Sequence, residues 1–243
     1  MMIHPQYDPV ALALGPVEVH WYGLMYLLAF AAAYGLAWYR STKRDSWTTD
    51  MVSDLVFFGA LGVILGGRIG YVLFYQFGEL LQNPAYLFKV WEGGMSFHGG
   101  MIGVLLGMLY FSRKYKKTPF QVLDFIVPCV PTGLLFGRIG NYINGELWGR
   151  VSDGGYNWLT YFPQAAASDA QLLQANPELQ SLMLDVNGQY LLPRHPSQLY
   201  EAFAEGFLLF LFLWWYSSKP RPRMAATAVF LLGYGISRFI IEF

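Results

Sequence analysis

The sequence predicts an all-α polytopic membrane protein with six transmembrane helices and a small head domain outside the membrane. Three observations predict it. The 243 residues are 55% hydrophobic and 18% aromatic but only 13% charged, where a soluble domain carries about 25%. Mean hydropathy is +0.33. Six apolar stretches are each long enough to cross about 30 Å of hydrocarbon as a helix.

The first stretch runs over residues 21–39 and the second over 51–77. The third, 97–111, is the shortest, and Gly99, Gly100, Gly103 and Gly107 mark it as a close-packing helix. The fourth covers 121–143, the fifth 199–216 and the sixth 225–243. Residues 1–144 therefore hold helices one to four, with an interfacial arm near 78–96. Residues 145–196 form the head, with one or two short helices in 168–184 broken at Pro177. Residues 197–243 hold helices five and six.

Charge sets the orientation. Ten of the sixteen basic residues lie in three short loops, 40–44, 113–117 and 219–223, which follow spans one, three and five. The positive-inside rule puts those loops in the cytoplasm and the N-terminus, arm and head outside. The formal net charge is zero, which implies no polyanion-binding surface and argues against a nucleic-acid partner. The single cysteine, Cys129, lies in an apolar run and cannot form an internal disulfide. The first basic residue is Arg40, after the first span, so no secretory leader is indicated.

Three charges interrupt the apolar spans: Arg68, Arg138 and Arg238. A charge at the bilayer centre costs about 3 kcal/mol on insertion scales. All three spans rise from the cytoplasm. At about 1.5 Å per residue the arginines then sit roughly 20–26 Å from that edge, in the outer leaflet. His98 opens span three at a similar level, Glu146 follows span four, and Glu242 lies one turn beyond Arg238. Pairing with Glu146, Glu242, Glu201 or Glu205 would make the arginines helix staples. An anion site would instead use the guanidinium fork on phosphate, and the phosphate of that leaflet belongs to a lipid headgroup. Asn141 and Asn144 are three apart on one helix face. A lipid transporter or flippase could use the same cluster, but the Gly-Arg-Ile-Gly echo at 67–70 and 137–140 runs in one orientation, whereas inverted repeats are the transporter signature.

Five motifs sharpen this reading: His20-Trp21-Tyr22-Gly23; Gly66-Gly67-Arg68-Ile69-Gly70-Tyr71; Gly94-Met95-Ser96-Phe97-His98-Gly99-Gly100; the run from Gly137 through Asn141, Asn144, Glu146 and Gly149 to Arg150; and Arg194-His195-Pro196-Ser197-Gln198-Leu199-Tyr200-Glu201. Together they resemble the bacterial prolipoprotein diacylglyceryl transferases over essentially the whole chain. The resemblance implies an inner-membrane enzyme of about seven spans with a periplasmic head. Members of that family continue past the Glu242 region into a further span. The implied activity moves the diacylglyceryl group of phosphatidylglycerol onto the lipobox cysteine of a preprolipoprotein signal peptide, with no cofactor and no metal. The family's functional residues match Tyr22, His98, Arg138, Asn141, Glu146, Gly149, Tyr234, Arg238 and Glu242. His98 is the expected base, Arg138 and Arg238 the expected phosphate clamp, and Arg68 a lipid contact or structural element.

Overall fold

The computed structural model describes residues 1–15, 17–152 and 155–242. The chain is mostly helical, and among the described residues five helical stretches are long and apolar enough to cross a membrane: Trp21–Ser41, Thr49–Tyr75, Pro119–Asn144, Ser197–Tyr216 and Ala225–Glu242. The predicted third span is a helix too, Phe97–Lys114, but falls outside those five. Four glycines, His98 and the terminal Arg113-Lys114 pair dilute its apolar content.

The described residues fall into two compact units. One holds Met1–Ala31, Pro128–Lys219 and Ala228–Phe243; the other holds Ala32–Val127 and Pro220–Thr227. α1 (Trp21–Ser41) passes from the first unit to the second.

In the second unit, α2 (Thr49–Tyr75) and α4 (Phe97–Lys114) lie side by side. Thr48 and Ser96 cap their N-termini, accepting bonds from the backbone N–H of Met51 and Gly99. Between them stand α3 (Phe77–Gln82) and two short tight turns, Pro84–Phe88 and Val90–Glu92. Glycines bring the α2 and α4 backbones together. A Cβ on Gly103 would lie 2.0 Å from the Gly62 carbonyl oxygen, and one on Gly66 would lie 2.3 Å from that of Gly99. In a bilayer, where water exclusion does not drive helices together, such close backbone approach supplies the packing contacts.

At the other end of this unit, α5 (Pro119–Ile126) starts on a reciprocal Thr118–Gln121 capping box. Trp47 stacks on Phe125 at 3.6 Å between ring centres, and Lys117 lies over its indole ring. Burial lowers the Lys117 and Arg44 pKa values from their usual ranges. Asp124 accepts bonds from the backbone N–H of Met224 and Thr227 and from the Thr227 hydroxyl.

In the first unit, α6 (Val130–Asn144) continues the span after a tight turn at Val127–Cys129. Pro128 and Pro131 remove the amide donors that an unbroken helix would need there. α8 (Ser197–Glu201), a π-helical turn at Ala202–Leu208 and α9 (Leu209–Tyr216) form the span packed on α6. α10 (Ala225–Glu242) is the last helix described.

Residues 2–20 and 145–196 carry strands that periodicity did not announce. β1 (Met2–Ile3) pairs in parallel with β4 (Thr160–Tyr161), which pairs antiparallel with β7 (Pro193–Arg194). Two hairpins accompany them: β2 (Val10–Leu14) with β3 (Val17–His20), and β5 (Leu184–Val186) with β6 (Gln189–Leu191). Strands of two to five residues hold too few positions for an alternating pattern to register. The helical break at Pro177 falls as expected, between α7 (Ala166–Ala175) and a tight turn at Pro177–Leu182.

A buried ion pair locks this region. Asp169, fully buried, takes the Arg194 Nε at 2.9 Å and Nη2 at 2.5 Å, while its other oxygen accepts the Leu192 N–H. Nearby, the His4 Nε2–H donates to the Tyr142 carbonyl at 2.7 Å, and its ring stacks on Phe162.

Candidate functional site: an arginine–glutamate cluster

Helix geometry brings two of the three intramembrane arginines onto one carboxylate. Glu201 and Glu205 are four apart, on one face of the stretch where α8 enters its π-helical turn. Such turns recur at functional sites because they re-aim the residues that follow. Gly206 lets this turn sit against the backbone of Leu135 on α6, where a Cβ would lie 2.8 Å from the Leu135 Cα. α6 then presents Arg138, whose Nε meets Glu201 Oε2 at 2.9 Å and whose Nη2 lies 3.5 Å from Glu205. α10 presents Arg238, which donates through Nη1 to the other oxygen of Glu201. The same nitrogen is 3.9 Å from Glu205, and Nη2 pairs with Glu242 at 2.9 Å.

Burial is graded. The Glu205 side chain is fully buried and that of Glu201 is 6% exposed, but that of Arg238 is 38% exposed. Glu201, Arg138 and Arg238 line a cavity of about 750 Å³, and Glu205 lies buried behind them. Trp148, Gly149, Arg150, His195, Tyr200 and Glu242 complete its wall.

The residues around the cavity are held by side-chain and main-chain hydrogen bonds together. Glu146 accepts from both Asn141 and Asn144 side-chain amides, at 3.1 and 3.2 Å, which is the use of their shared helix face. Gly149 donates its N–H to the His195 carbonyl at 2.9 Å, and a Cβ there would lie 2.6 Å from that oxygen, so glycine is required at this approach. Arg194 reaches the Gly149 carbonyl at 3.1 Å. His195 Nδ1 and the Tyr200 hydroxyl lie 3.1 Å apart. Tyr22 packs against the turn of α6 at Gly140, and its ring lies tilted against that of Tyr26, 5.1 Å between centres. Tyr234, on α10 one turn before Arg238, stacks with Phe230.

Residues 9–243 match the family model described as "Prolipoprotein diacylglyceryl transferase". The chain belongs to the prolipoprotein diacylglyceryl transferase family. It is 88% identical over 243 residues to a phosphatidylglycerol–prolipoprotein diacylglyceryl transferase of Psychrobacter arcticus, covering all of this chain and 83% of that protein. A protein of the same name from Acinetobacter baumannii is 59% identical, again over the whole chain and 81% of the relative. One from Acinetobacter baylyi matches to the same extent.

Within this family member, eight of the ten residues singled out by sequence lie in the first unit: Tyr22, Arg138, Asn141, Glu146, Gly149, Tyr234, Arg238 and Glu242. His98 and Arg68 lie in the second. His98 is exposed in the first turn of α4, edge-on to Phe97. Arg68 is 2% exposed and donates to main-chain carbonyls of the arm: Nε to Leu87, Nη2 to Tyr86, and Nη1 to Gly93 and Gly94. Its guanidinium also lies 4.7 Å over the Tyr86 ring. These contacts support the structural alternative for Arg68.

Sequence reasoning weighed Glu201 and Glu205 as arginine partners but left them, with His195 and Tyr200, out of the site. Spacing does signal the pair: two glutamates four apart inside an apolar stretch are costly unless cations face them.

Proposed function

We propose that this chain transfers the diacylglyceryl group from phosphatidylglycerol to the lipobox cysteine thiol of preprolipoproteins, the first step of lipoprotein maturation. Family membership supports the reaction. The observation that carries the site is the convergence of Arg138 and Arg238 on Glu201 at the wall of one cavity.

In this reading the cysteine sulfur attacks the glycerol carbon that bears the phosphate. The S–C bond forms as the C–O bond breaks, the electron pair leaves on the phosphate oxygen, and glycerol phosphate departs. A free thiol has a pKa of about 8.5, so a few per cent is thiolate at neutral pH. His98 takes the thiol proton. Arg138 and Arg238 hold the charge that develops on the leaving phosphate, and their field favours thiolate. Tyr22, Asn141 and Tyr234 position headgroup oxygens. Glu146 orders Asn141, Glu242 orients Arg238, and Gly149 keeps the cavity wall narrow. Arg68 belongs to the arm.

The proposed setting is the bacterial inner membrane, with six spans, a periplasmic N-terminus and head, and the site in the outer leaflet. The basic loops support that orientation. Incubating purified protein with phosphatidylglycerol vesicles and a lipobox peptide should add a diacylglyceryl mass to the peptide cysteine. An unmodified peptide would overturn the reading.

A further inference from the structure

The positive charges in the cluster are already matched before any substrate is considered. Arg138 and Arg238 contribute two positive charges, and Glu201, Glu205 and Glu242 contribute three negative ones. A lipid phosphate approaching these arginines therefore meets a group with no net positive charge, and binds strongly only where a carboxylate gives way. The glutamates differ in their fitness for that role: Glu242 is 56% exposed and pairs with Arg238 alone. Glu205 is fully buried and more than 3 Å from either guanidinium. Glu201 is nearer the cavity, contributes to its lining, and gives one oxygen to each arginine. Those two carboxylate oxygens present the same acceptor pair as the two non-bridging oxygens of a phosphodiester.

We propose that Glu201 is a positioning residue that competes with phosphate for Arg138 and Arg238. It holds the two guanidinia at one spacing and weakens their grip on anions. The phosphate that leaves bears more negative charge than the diester that entered, so the competing carboxylate is what lets it go. The inference rests on the transfer reading above.

The sign of its effect separates this role from a structural one. Loss of a merely structural carboxylate disorders the arginines and weakens phosphate binding. Loss of a competitor tightens it. Glu201→Gln keeps the shape and removes the charge. In the full-length protein, its KM for phosphatidylglycerol and its inhibition constant for glycerol phosphate should each fall about tenfold, the lower end of what close charge pairs contribute at an interface. Its kcat should fall with them as release slows. Glu201→Asp keeps the charge but reaches one guanidinium only, so both constants should fall by less and kcat should recover in part. Raised or unchanged constants in Glu201→Gln, with wild-type transfer intact, overturn the competition while the transfer reading stands. Absence of transfer in the wild type overturns both. Should Glu201→Gln fail to fold, Glu201→Asp decides: a lower inhibition constant supports the competition and a higher one overturns it.

Discussion

At the scale of single residues, the proposed phosphate clamp makes the sharpest demands. Arg138 uses Nε for Glu201 and leaves its outer edge toward the cavity. A lysine keeps the charge but cannot serve the carboxylate and a phosphate oxygen in one plane. Arg138→Lys should lower the transfer rate by about 10²–10³, the usual effect of losing one transition-state donor. Initial rates on a lipobox peptide check this. Arg238→Ala should abolish transfer although the protein still inserts. His98→Gln should lose the rate and flatten its pH profile; a near-normal rate would remove His98 from the base role. His4 offers a test of stability. Burial among Tyr142 and Phe162 holds its imidazole below the ordinary 6.5, and Nδ1 is buried without a hydrogen-bond partner. The unfolded chain thus binds the proton more readily, and stability is complete above pH about 6.5 and falls as the pH drops below it toward the lowered value. Thermal unfolding from pH 7.5 to 5 should show that loss, and His4→Gln should flatten it.

At the scale of elements, the apolar periodicity located every helix long enough to span, with ends within a few residues of those observed. It worked because a transmembrane helix is recognised by length and composition alone. It failed where the elements are short. β1, β4 and β7 are two residues each, and their pairing joins residues far apart in sequence, Met2 with Thr160 and Tyr161 with Pro193. The π-helical turn after Glu201 likewise has no residue signature, although it follows directly on the carboxylate that gathers the arginines. The glycines of α4 were legible as a packing seam, and they can be tested as one. Gly103→Val would drive a side chain into the Gly62 carbonyl. It should cost about 1–3 kcal/mol, read as a lower unfolding temperature in detergent.

At the scale of the whole molecule, the two charged clusters have different duties. Asp169–Arg194 is buried and ties α7 to β7 and to the turn at Gly149. Removing one partner strands the other, so Asp169→Asn should cost about 3–5 kcal/mol, measured as loss of folded protein on heating. The Arg138–Glu201–Arg238 cluster opens to a cavity instead. By depth the sequence placed the three intramembrane arginines alike, and the family resemblance set Arg68 apart as a lipid contact or structural element. Their partners separate them physically, because Arg68 spends its donors on main-chain oxygens while the other two face carboxylates. The one native thiol is buried, so orientation is checked with introduced ones. Cysteines introduced at Lys116 and Ser181 in a Cys129→Ala background should react with an impermeant maleimide from opposite sides, Ser181 in intact cells and Lys116 only after lysis.

The attachment of the arm carries a last implication. Arg68 grips residues 86, 87, 93 and 94 through their carbonyl oxygens, and a carbonyl is common to all twenty amino acids. The anchor is thus blind to most of the lettering it holds, the Tyr86 ring excepted. Between Leu80 and Trp91 the rest of the arm is open to redesign, and a randomised library there should yield many inserted, folded variants as long as Arg68, Tyr86 and the positive-φ glycines Gly93 and Gly94 are kept.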